Sequence, residues 1–150
     1  MESKKSPQEQ LNAYIKAHKL RHTYERERVL EHILTIDGHF TIQSIHQDLK
    51  DESPISRASI YNIIELFMNI GLVVRHPFPG AEAQYETTQR ASTHHHRVCI
   101  SCGKIKEFTD QKMSKPIKNR TFATFQKQYH SVYLYGLCKK CQPKNNKSKK

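Results

Sequence analysis

The sequence predicts an α+β fold made of two units, and two observations support this prediction. In the first half, apolar residues recur three or four positions apart, which is typical of helices with one buried face, and the pattern changes to strand-like runs after Gly71. In the second half, all four cysteines stand in two Cys-x-x-Cys pairs, Cys99–Cys102 and Cys138–Cys141. Two such pairs can supply the four thiolates of a tetrahedral zinc site, so a metal is expected to hold the second unit together.

Length and composition agree with two small units. The chain has 150 residues, 36% of them hydrophobic, and no tryptophan, so a large single core is not expected. Metal binding can supply folding free energy that a thin core lacks. The formal net charge is +11, and the chain stays basic even if four thiolates bind one Zn2+. A basic chain of this kind indicates a polyanionic partner, most often nucleic acid.

Targeting signals are not apparent. The N-terminal residues lack the apolar segment of a secretory signal, and no stretch approaches the ~18 apolar residues of a membrane span. We therefore expect a cytoplasmic protein without a membrane partner. In that reducing compartment, paired cysteines bind metal more often than they form disulfides.

The first two helices have clear start signals. Ser6 and Glu9 form a capping box with Pro7 at the first helical position, which predicts a helix ending near Lys19. Its expected inward residues are Leu11, Tyr14, Ile15 and His18. Thr23 is the predicted N-cap of a second helix that ends at Gly38. Its expected inward residues are Val29, Leu30, Ile33 and Leu34.

Two further helices and a hairpin complete the first unit. Thr41 begins a short helix with Ile42, Ile45 and Leu49 inward. A fourth helix follows Ser56 and ends at Gly71, and its apolar positions are Ile60, Ile63, Ile64, Phe67 and Met68. Strands at 72–76 and 84–87 flank a turn at 77–80. Helices followed by a hairpin predict a winged helix-turn-helix, with the helix-turn-helix at 41–70 and the last helix in the DNA major groove.

The predicted domain boundaries follow from these patterns. Residues 1–88 form the winged-helix DNA-binding domain, 89–93 a hinge, 94–141 the zinc-binding domain, and 142–150 a disordered lysine-rich tail. Within the second domain, we expect strands at 97–100, 105–108 and 130–135. A helix should follow Asp110, and Pro116 should shorten or kink it.

The four cysteines, Cys99, Cys102, Cys138 and Cys141, are the predicted structural zinc ligands. Gly103 follows the first pair, as a tight turn requires. The alternatives are a dithiol redox pair and four unrelated buried thiols. A shell of four cysteines has no open position for a substrate, so catalysis at this metal is not expected and no catalytic residue is assigned.

The order of histidines, glutamates and cysteines resembles the ferric uptake regulator (Fur) family. The resemblance runs from about His22 to Cys141, and its most specific parts are the runs 94–108 and 130–138, with the helix start at 58–61 and the segment 71–76. The resemblance implies a metal-responsive, dimeric transcription regulator, usually a repressor, with an α/β dimerisation domain after the winged helix.

The resemblance also implies a regulatory metal site between the two domains. Its ligands would be His39, Glu86, His94, His96 and Glu107. Imidazole and carboxylate ligands suit exchangeable Fe2+, Mn2+ or Zn2+, whereas the thiolate site should hold Zn2+ permanently. One metal at these residues would fix the angle between the DNA-binding domain and the dimer core.

Two departures from the family pattern affect the predicted sites. A further family site of His, Asp, Glu and His falls here on Thr93, His95, Ser114 and His130, where only His130 keeps its residue type. We therefore do not expect an intact third site, and His95 and His130 are kept as candidate ligands for a weakly held metal or for haem. Asn62 stands where an arginine commonly follows the recognition-helix tyrosine, and Arg57 is the nearest substitute.

Double-stranded DNA is the expected partner, and the residues expected to contact it are of two kinds, base-reading residues and phosphate contacts. The candidate base-reading residues are Ser56, Arg57, Ser59 and Tyr61. The candidate phosphate contacts are Lys16, Lys19, Arg21, Tyr24, Arg26, Arg75 and His76. Each of these taken singly is more often a solvated surface side chain. A homodimer would read a pseudo-palindromic operator, and a tetramer is the alternative oligomeric state.

The function predicted from these residues is a metal-dependent transcription regulator of iron homeostasis, most simply a repressor. The alternatives within the family are regulators that respond to zinc, manganese, peroxide or haem. Peroxide-sensing members tend to carry aspartate at the carboxylate positions, so Glu86 and Glu107 favour a metal sensor. A zinc hydrolase is a distant alternative, because the sequence has no H-E-x-x-H and a helix-turn-helix has no role there. A metal-stabilised interaction module without DNA binding is a third alternative.

Overall fold

The computed structural model describes residues 4–144 and confirms the α+β fold. Its helices are α1 (Pro7–Ala17), α2 (Tyr24–Thr35), α3 (Ile42–Leu49), α4 (Arg57–Ile70), α5 (Thr88–Ala91) and α6 (Gln111–Asn119). Its strands are β1 (Val73–His76), β2 (Gln84–Thr87), β3 (His95–Cys99), β4 (Ile105–Phe108) and β5 (Tyr133–Gly136). None of the helices in residues 4–144 is long and apolar enough to cross a membrane.

Side-chain caps begin the first four helices at the predicted residues. Ser6 accepts a hydrogen bond from the Glu9 amide at 3.2 Å, and the Glu9 carboxylate accepts one from the Ser6 amide at 2.7 Å. Thr23, Thr41 and Ser56 each accept a hydrogen bond from the backbone amide three residues later. These bonds satisfy amides that the helices themselves leave unpaired, so the predicted N-caps are confirmed.

One hydrophobic core joins α1 to α4 with the hairpin. Its fully buried members include Leu11, Leu30, Ile45, Ile60 and Phe67. All of the core residues lie between positions 11 and 85, so the first unit carries a core of its own. The helical spacing of these apolar positions therefore predicted which helix faces are buried.

Two residues expected to face inward are exposed instead. His18 lies beyond the end of α1 at Ala17, and its ring Nδ1 bonds the Tyr14 carbonyl at 3.0 Å. Leu34 is 44% exposed, because Leu30 and Ile33 form the buried face of α2 and Leu34 lies at its edge.

The wing is a two-stranded antiparallel hairpin in which Val73 pairs with Thr87 and His76 with Gln84. Phe40, between α2 and α3, adds an isolated bridge to β2, since its amide and carbonyl bond those of Tyr85 at 2.9 and 2.8 Å. This bridge holds the segment that carries His39 against β2.

The second unit is built on a three-stranded sheet in the order β4-β3-β5. Strand β3 pairs antiparallel with β4 and parallel with β5, which leaves β5 at an edge. The last strand begins at Tyr133 rather than at the predicted residue 130, and β3 begins at His95 rather than at 97. Helix α6 accommodates Pro116, and the Lys127 ammonium bonds carbonyls at the end of this helix, including Lys118 O at 2.9 Å.

The segment predicted as a hinge, 89–93, includes most of a short helix. Residues 88–91 form α5, and Ser92 continues it by bonding the Thr88 carbonyl through its amide at 3.1 Å and its hydroxyl at 2.8 Å. The Thr88 hydroxyl in turn donates to the Gly71 carbonyl at 2.8 Å. From residue 145 onward, the predicted lysine-rich tail lies outside the described residues.

Candidate metal centres

The four predicted zinc ligands converge. All four sulfur atoms lie within 4.8 Å of one another, and the Cys102 and Cys138 sulfurs are 3.7 Å apart. A tetrahedral zinc with bonds of about 2.3 Å has sulfur–sulfur edges of about 3.8 Å, so the cluster fits Zn2+. Parallel pairing of Cys99 with Gly136 brings the ends of β3 and β5 together, and therefore the two cysteine pairs.

Local backbone geometry turns the thiols of each pair inward. The Cys99 carbonyl accepts the Gly103 amide at 2.9 Å, and Gly103 has a φ of 75°, which favours glycine. The Cys138 carbonyl accepts the Cys141 amide at 2.9 Å in the same way. Backbone N–H groups of Cys102 and Cys138 lower the pKa of the Cys99 thiol to about 6. The thiolate of Cys99, the form that binds metal, is therefore favoured at neutral pH. The hydrogen bond from Ser101 lowers the pKa of the Cys141 thiol, but the neighbouring Cys138 and Cys102 thiols outweigh it and raise that pKa to about 11.

Four of the five predicted regulatory ligands, His39, His94, His96 and Glu107, offer ligand atoms within 4.8 Å of one another, while Glu86 groups with His39, His76 and His96. The group is centred on the ring of His96. Nε2 of His96 lies 3.2 Å from Nε2 of His39 and 3.1 Å from Nε2 of His94. Neighbouring ligands of an octahedral metal with bonds of about 2.1 Å lie about 3.0 Å apart, so the three nitrogens fit one divalent ion with this geometry. The carboxylates close the group, with Glu86 Oε2 at 3.3 Å and Glu107 Oε1 at 3.5 Å from Nε2 of His94.

Different elements bring these ligands together. His94 and His96 are two residues apart, so they lie on the same face of the strand. Glu107 on β4 pairs directly with His96 across the sheet. From the first unit, Glu86 lies on β2, and His39 lies next to the bridge that Phe40 makes with that strand. The site therefore joins the first unit to the three-stranded sheet of the second unit.

Burial and hydrogen bonding set the protonation of these ligands. Burial lowers the pKa of His39, and burial followed by the neighbouring His76 lowers the pKa of His96 to about 4. Burial alone would raise the pKa of Glu86, but hydrogen bonds from His76 and Arg90 outweigh it and the net pKa is lowered. Neutral imidazoles and ionised carboxylates are the forms that bind metal.

His76 was predicted to contact a DNA phosphate, and that prediction is wrong. The residue is 2% exposed, its Nε2 lies 2.8 Å from Glu86 Oε1, and its Nδ1 lies 2.5 Å from the Tyr133 hydroxyl. His76 also forms a second group of possible metal ligands with His39, Glu86 and His96. Alternation along a strand was the missed signal, because consecutive residues such as Arg75 and His76 point to opposite faces.

Arg90 is a further site residue that sequence reasoning missed. Its guanidinium bonds Asp37 at 2.8 Å, pairs with Glu86, and reaches Glu107 at 3.1 and 3.3 Å. The four-residue spacing between Glu86 and Arg90 was the available signal, but the segment was interpreted as a hinge.

The remnant of the third site is arranged differently. His95 is 1% exposed, and its Nε2 bonds the Ser114 hydroxyl at 2.9 Å. The Thr93 hydroxyl donates to the Arg90 carbonyl at 2.7 Å. Among residues 4–144, neither His95 nor His130 belongs to a group of three or more possible metal ligands.

Most of the other candidate DNA contacts have exposed side chains, and their contact with DNA stays a prediction. Ser56, Arg57 and Tyr61 are exposed at the start of α4, while Ser59 is half-buried and its hydroxyl accepts from that of Ser56 at 2.9 Å. Exposed candidate phosphate contacts are Lys16, Lys19, Arg21, Tyr24 and Arg75, and Arg26 is half-buried against the Arg21 carbonyl.

Comparisons with known proteins identify one family. The model of the ferric uptake regulator family matches residues 17–135. The chain is 32% identical over 127 residues to the peroxide-responsive repressor PerR of Staphylococcus saprophyticus, which covers 83% of this chain and 84% of that protein. It is 32% identical over 132 residues to the ferric uptake regulation protein of Klebsiella pneumoniae, covering 85% and 83% respectively. The ferric uptake regulator of Pseudomonas aeruginosa with manganese has a TM-score of 0.65 and 25% identity, covering 85% of this chain and 97% of that structure.

Proposed function

Since the chain belongs to the ferric uptake regulator family and is a metal-responsive regulator of that family, we propose that it is a metal-dependent DNA-binding repressor of iron homeostasis. It acts in the cytoplasm as a homodimer on a pseudo-palindromic operator, and it has no catalytic residue. The observation that carries the proposal is the convergence of His39 and Glu86 from the first unit with His94, His96 and Glu107 from the second.

The regulatory metal acts by joining residues that lie on different units. A divalent cation bound by these five side chains supplies a positive charge and a fixed ligand geometry at the boundary between the domains 1–88 and 94–141. His39 and Glu86 are then held against β3 and β4, which limits the orientation of the wing. Metal binding shifts the distribution of orientations towards the one that fits DNA, and DNA binding raises metal affinity by the same factor.

The structural metal is Zn2+ at the four cysteines. The thiolate cluster fits zinc in its sulfur spacing, and it connects the end of β3 to the segment after β5. Few side chains of the second unit are buried in a core, so the zinc supplies folding free energy there.

The dimer proposal rests on the edge of the second sheet. Strand β5 pairs only with β3 in the described part of the chain, and Leu134 on β5 and Leu137 beyond it are 45% and 41% exposed. An edge strand with apolar side chains is a template for pairing with a second chain. Two chains joined here would present two copies of α4 to successive turns of the DNA.

The experiment measures metal content and DNA binding together. The purified chain is analysed for zinc and iron per protomer before and after mild chelation, and binding to a labelled promoter pool is followed in both forms. We expect one zinc that resists chelation and a second, removable metal whose return restores specific DNA binding. DNA binding that is indifferent to the removable metal would overturn the proposal.

A peroxide-responsive repressor is the second candidate, and the similarity to the staphylococcal repressor favours it. The glutamates at positions 86 and 107 favour the metal sensor instead. Stoichiometric peroxide is added to the protein loaded with Fe2+ or with Mn2+ on its operator. Release of DNA from the Fe2+ form alone supports the peroxide sensor, and retention by both forms supports the metal sensor.

A further inference from the structure

A series of hydrogen bonds links Tyr133, His76 and Glu86, and it connects the wing to the sheet of the second unit beside the candidate regulatory site. The Tyr133 hydroxyl lies 2.5 Å from Nδ1 of His76, and Nε2 of His76 lies 2.8 Å from Oε1 of Glu86. His76 is the last residue of β1, and Tyr133 is the first residue of β5, so the series crosses between the units. His76 and Glu86 are 2% and 0% exposed.

Donors and acceptors in this series are complementary. The Glu86 carboxylate can only accept, so Nε2–H of His76 donates to it, and Nδ1 of the same ring is then placed to accept from the Tyr133 O–H. Both nitrogens of the His76 ring are thereby satisfied, whereas Nδ1 of the equally buried His96 has no partner among the described residues. The donated bond also holds the carboxylate, so Oε1 lies 3.6 Å from Nε2 of His39 while Oε2 lies 3.3 Å from Nε2 of His94.

Aromatic packing fixes the ring of His76 in this orientation. Phe78, from the turn of the hairpin, stacks on His76 with ring centroids 4.6 Å apart and an interplanar angle of 17°. Tyr133 stacks on His96 at 5.6 Å and 19°, and the two residues are paired across β3 and β5. Rotation of either ring would break a hydrogen bond and a stacking contact together.

We propose that His76 and Tyr133 are positioning residues that orient Glu86 for the regulatory metal and connect that metal to the wing. This inference rests on the proposed function. Hydrogen bonds to a metal-ligating carboxylate set its orientation, and their loss typically weakens metal binding ~10–100-fold. The preceding residue, Arg75, is exposed on the opposite face of β1, so the contacts of His76 that fix β1 also fix the position of this candidate phosphate contact.

The geometry assigns His76 an orienting role rather than a place among the ligands. Both of its ring nitrogens are engaged, one by Tyr133 and one by Glu86. To bind the metal directly, His76 would have to give up the bond to Glu86 that holds the carboxylate in place.

The experiment titrates Co2+ into the zinc-loaded full chain and follows visible absorption in competition with a chelator. Tyr133→Phe removes only the hydroxyl, and Tyr135→Phe, on the same strand but 54% exposed, is the matched control. We expect ~10–100-fold weaker Co2+ binding for His76→Leu, a smaller loss with an unchanged spectrum at saturation for Tyr133→Phe, and wild-type affinity for the control. His76→Gln, which keeps an N–H donor for Glu86, should retain more affinity than His76→Leu.

The outcomes separate this inference from the proposed function. Equal Co2+ affinity of Tyr133→Phe and the wild type would overturn the positioning role. A changed saturated spectrum in His76→Gln with no effect of Tyr133→Phe would also overturn it, because His76 would then be a ligand. Failure of the wild type itself to bind Co2+ beyond its zinc would instead contradict the proposed function. Zinc content and thermal unfolding of each variant show whether it is folded.

Discussion

Arg90 binds Glu86, four residues before it, and also holds Glu107 on the neighbouring sheet. The guanidinium donates hydrogen bonds to Oε2 of Glu86 and Oε1 of Glu107. The same two oxygens lie 3.3 and 3.5 Å from Nε2 of His94. Asp37 holds the other side of the guanidinium at 2.8 Å. Arg90 and a divalent metal therefore compete for the same carboxylate oxygens.

The first prediction concerns this competition. Arg90→Met should bind the regulatory metal more tightly, by ~10-fold, because the metal no longer displaces a charge-assisted hydrogen bond. Without the regulatory metal, the free energy of unfolding of Arg90→Met should be lower than that of the wild type by about 1–3 kcal/mol. The reason is that Glu86 and Glu107 lose the cation they share. Competition with a fluorescent chelator measures the affinity, and denaturant unfolding measures the stability.

Arg97→Met is the matched control for Arg90, because Arg97 is exposed on β3 and lies 5.8 Å from the Phe108 ring centroid, away from the carboxylates. It should leave metal affinity unchanged. Weaker metal binding in Arg90→Met would show that the arginine organises the ligands rather than competing for them.

Local signals predicted the fold because they act over a few residues. The caps at Ser6 and Ser56 and the stop at Gly71 depend on side chains within one turn, and the structure places each as expected. The predicted start of β5 was wrong because an edge strand is defined by its partner, and the first bond to β3 is the one from the His96 amide to the Val132 carbonyl at 3.0 Å.

The site was predicted in part, for a physical reason that concerns distance along the chain. His94 and His96 belong to one strand, and their shared face follows from alternation. The bonds from His76 to Tyr133 and from Arg90 to Glu107 join residues 57 and 17 positions apart. Such contacts depend on how the two units pack, which no local pattern in the sequence specifies.

The second prediction tests the zinc cluster. Cys102→Ser should lose zinc and unfold the second unit, because about 10–16 kcal/mol of metal-binding free energy normally stabilises such a fold. The first unit should stay folded, since its core lies entirely between positions 11 and 85. Zinc per chain and circular dichroism on heating measure both effects. Lys106→Ala, at an exposed position on β4, is the control and should keep its zinc. A fully cooperative loss of both units in Cys102→Ser would contradict the independent core.

The third prediction tests the regulatory site. His96→Ala should abolish metal-stimulated DNA binding and leave a folded dimer, because Nε2 of His96 lies within 3.2 Å of both other imidazoles while the zinc cluster is untouched. Fluorescence anisotropy of a labelled operator, with and without metal, measures the first effect, and size-exclusion chromatography the second. His18→Ala, at an exposed position outside the site, should behave as the wild type. Unchanged metal dependence in His96→Ala would refute the ligand assignment.

The fourth prediction separates base reading from phosphate binding. Arg57 is exposed in the first turn of α4, and Lys16 is exposed near the end of α1. Arg57→Ala should weaken binding to the operator by about 1–3 kcal/mol and relax sequence preference, since a bidentate base contact is lost. Lys16→Ala should weaken operator and random DNA alike and reduce the salt dependence by about one ion. Anisotropy titrations at several salt concentrations distinguish the two. An equal loss on both DNAs for Arg57→Ala would make it a backbone contact, because a phosphate carries no sequence information and only base edges discriminate one site from another.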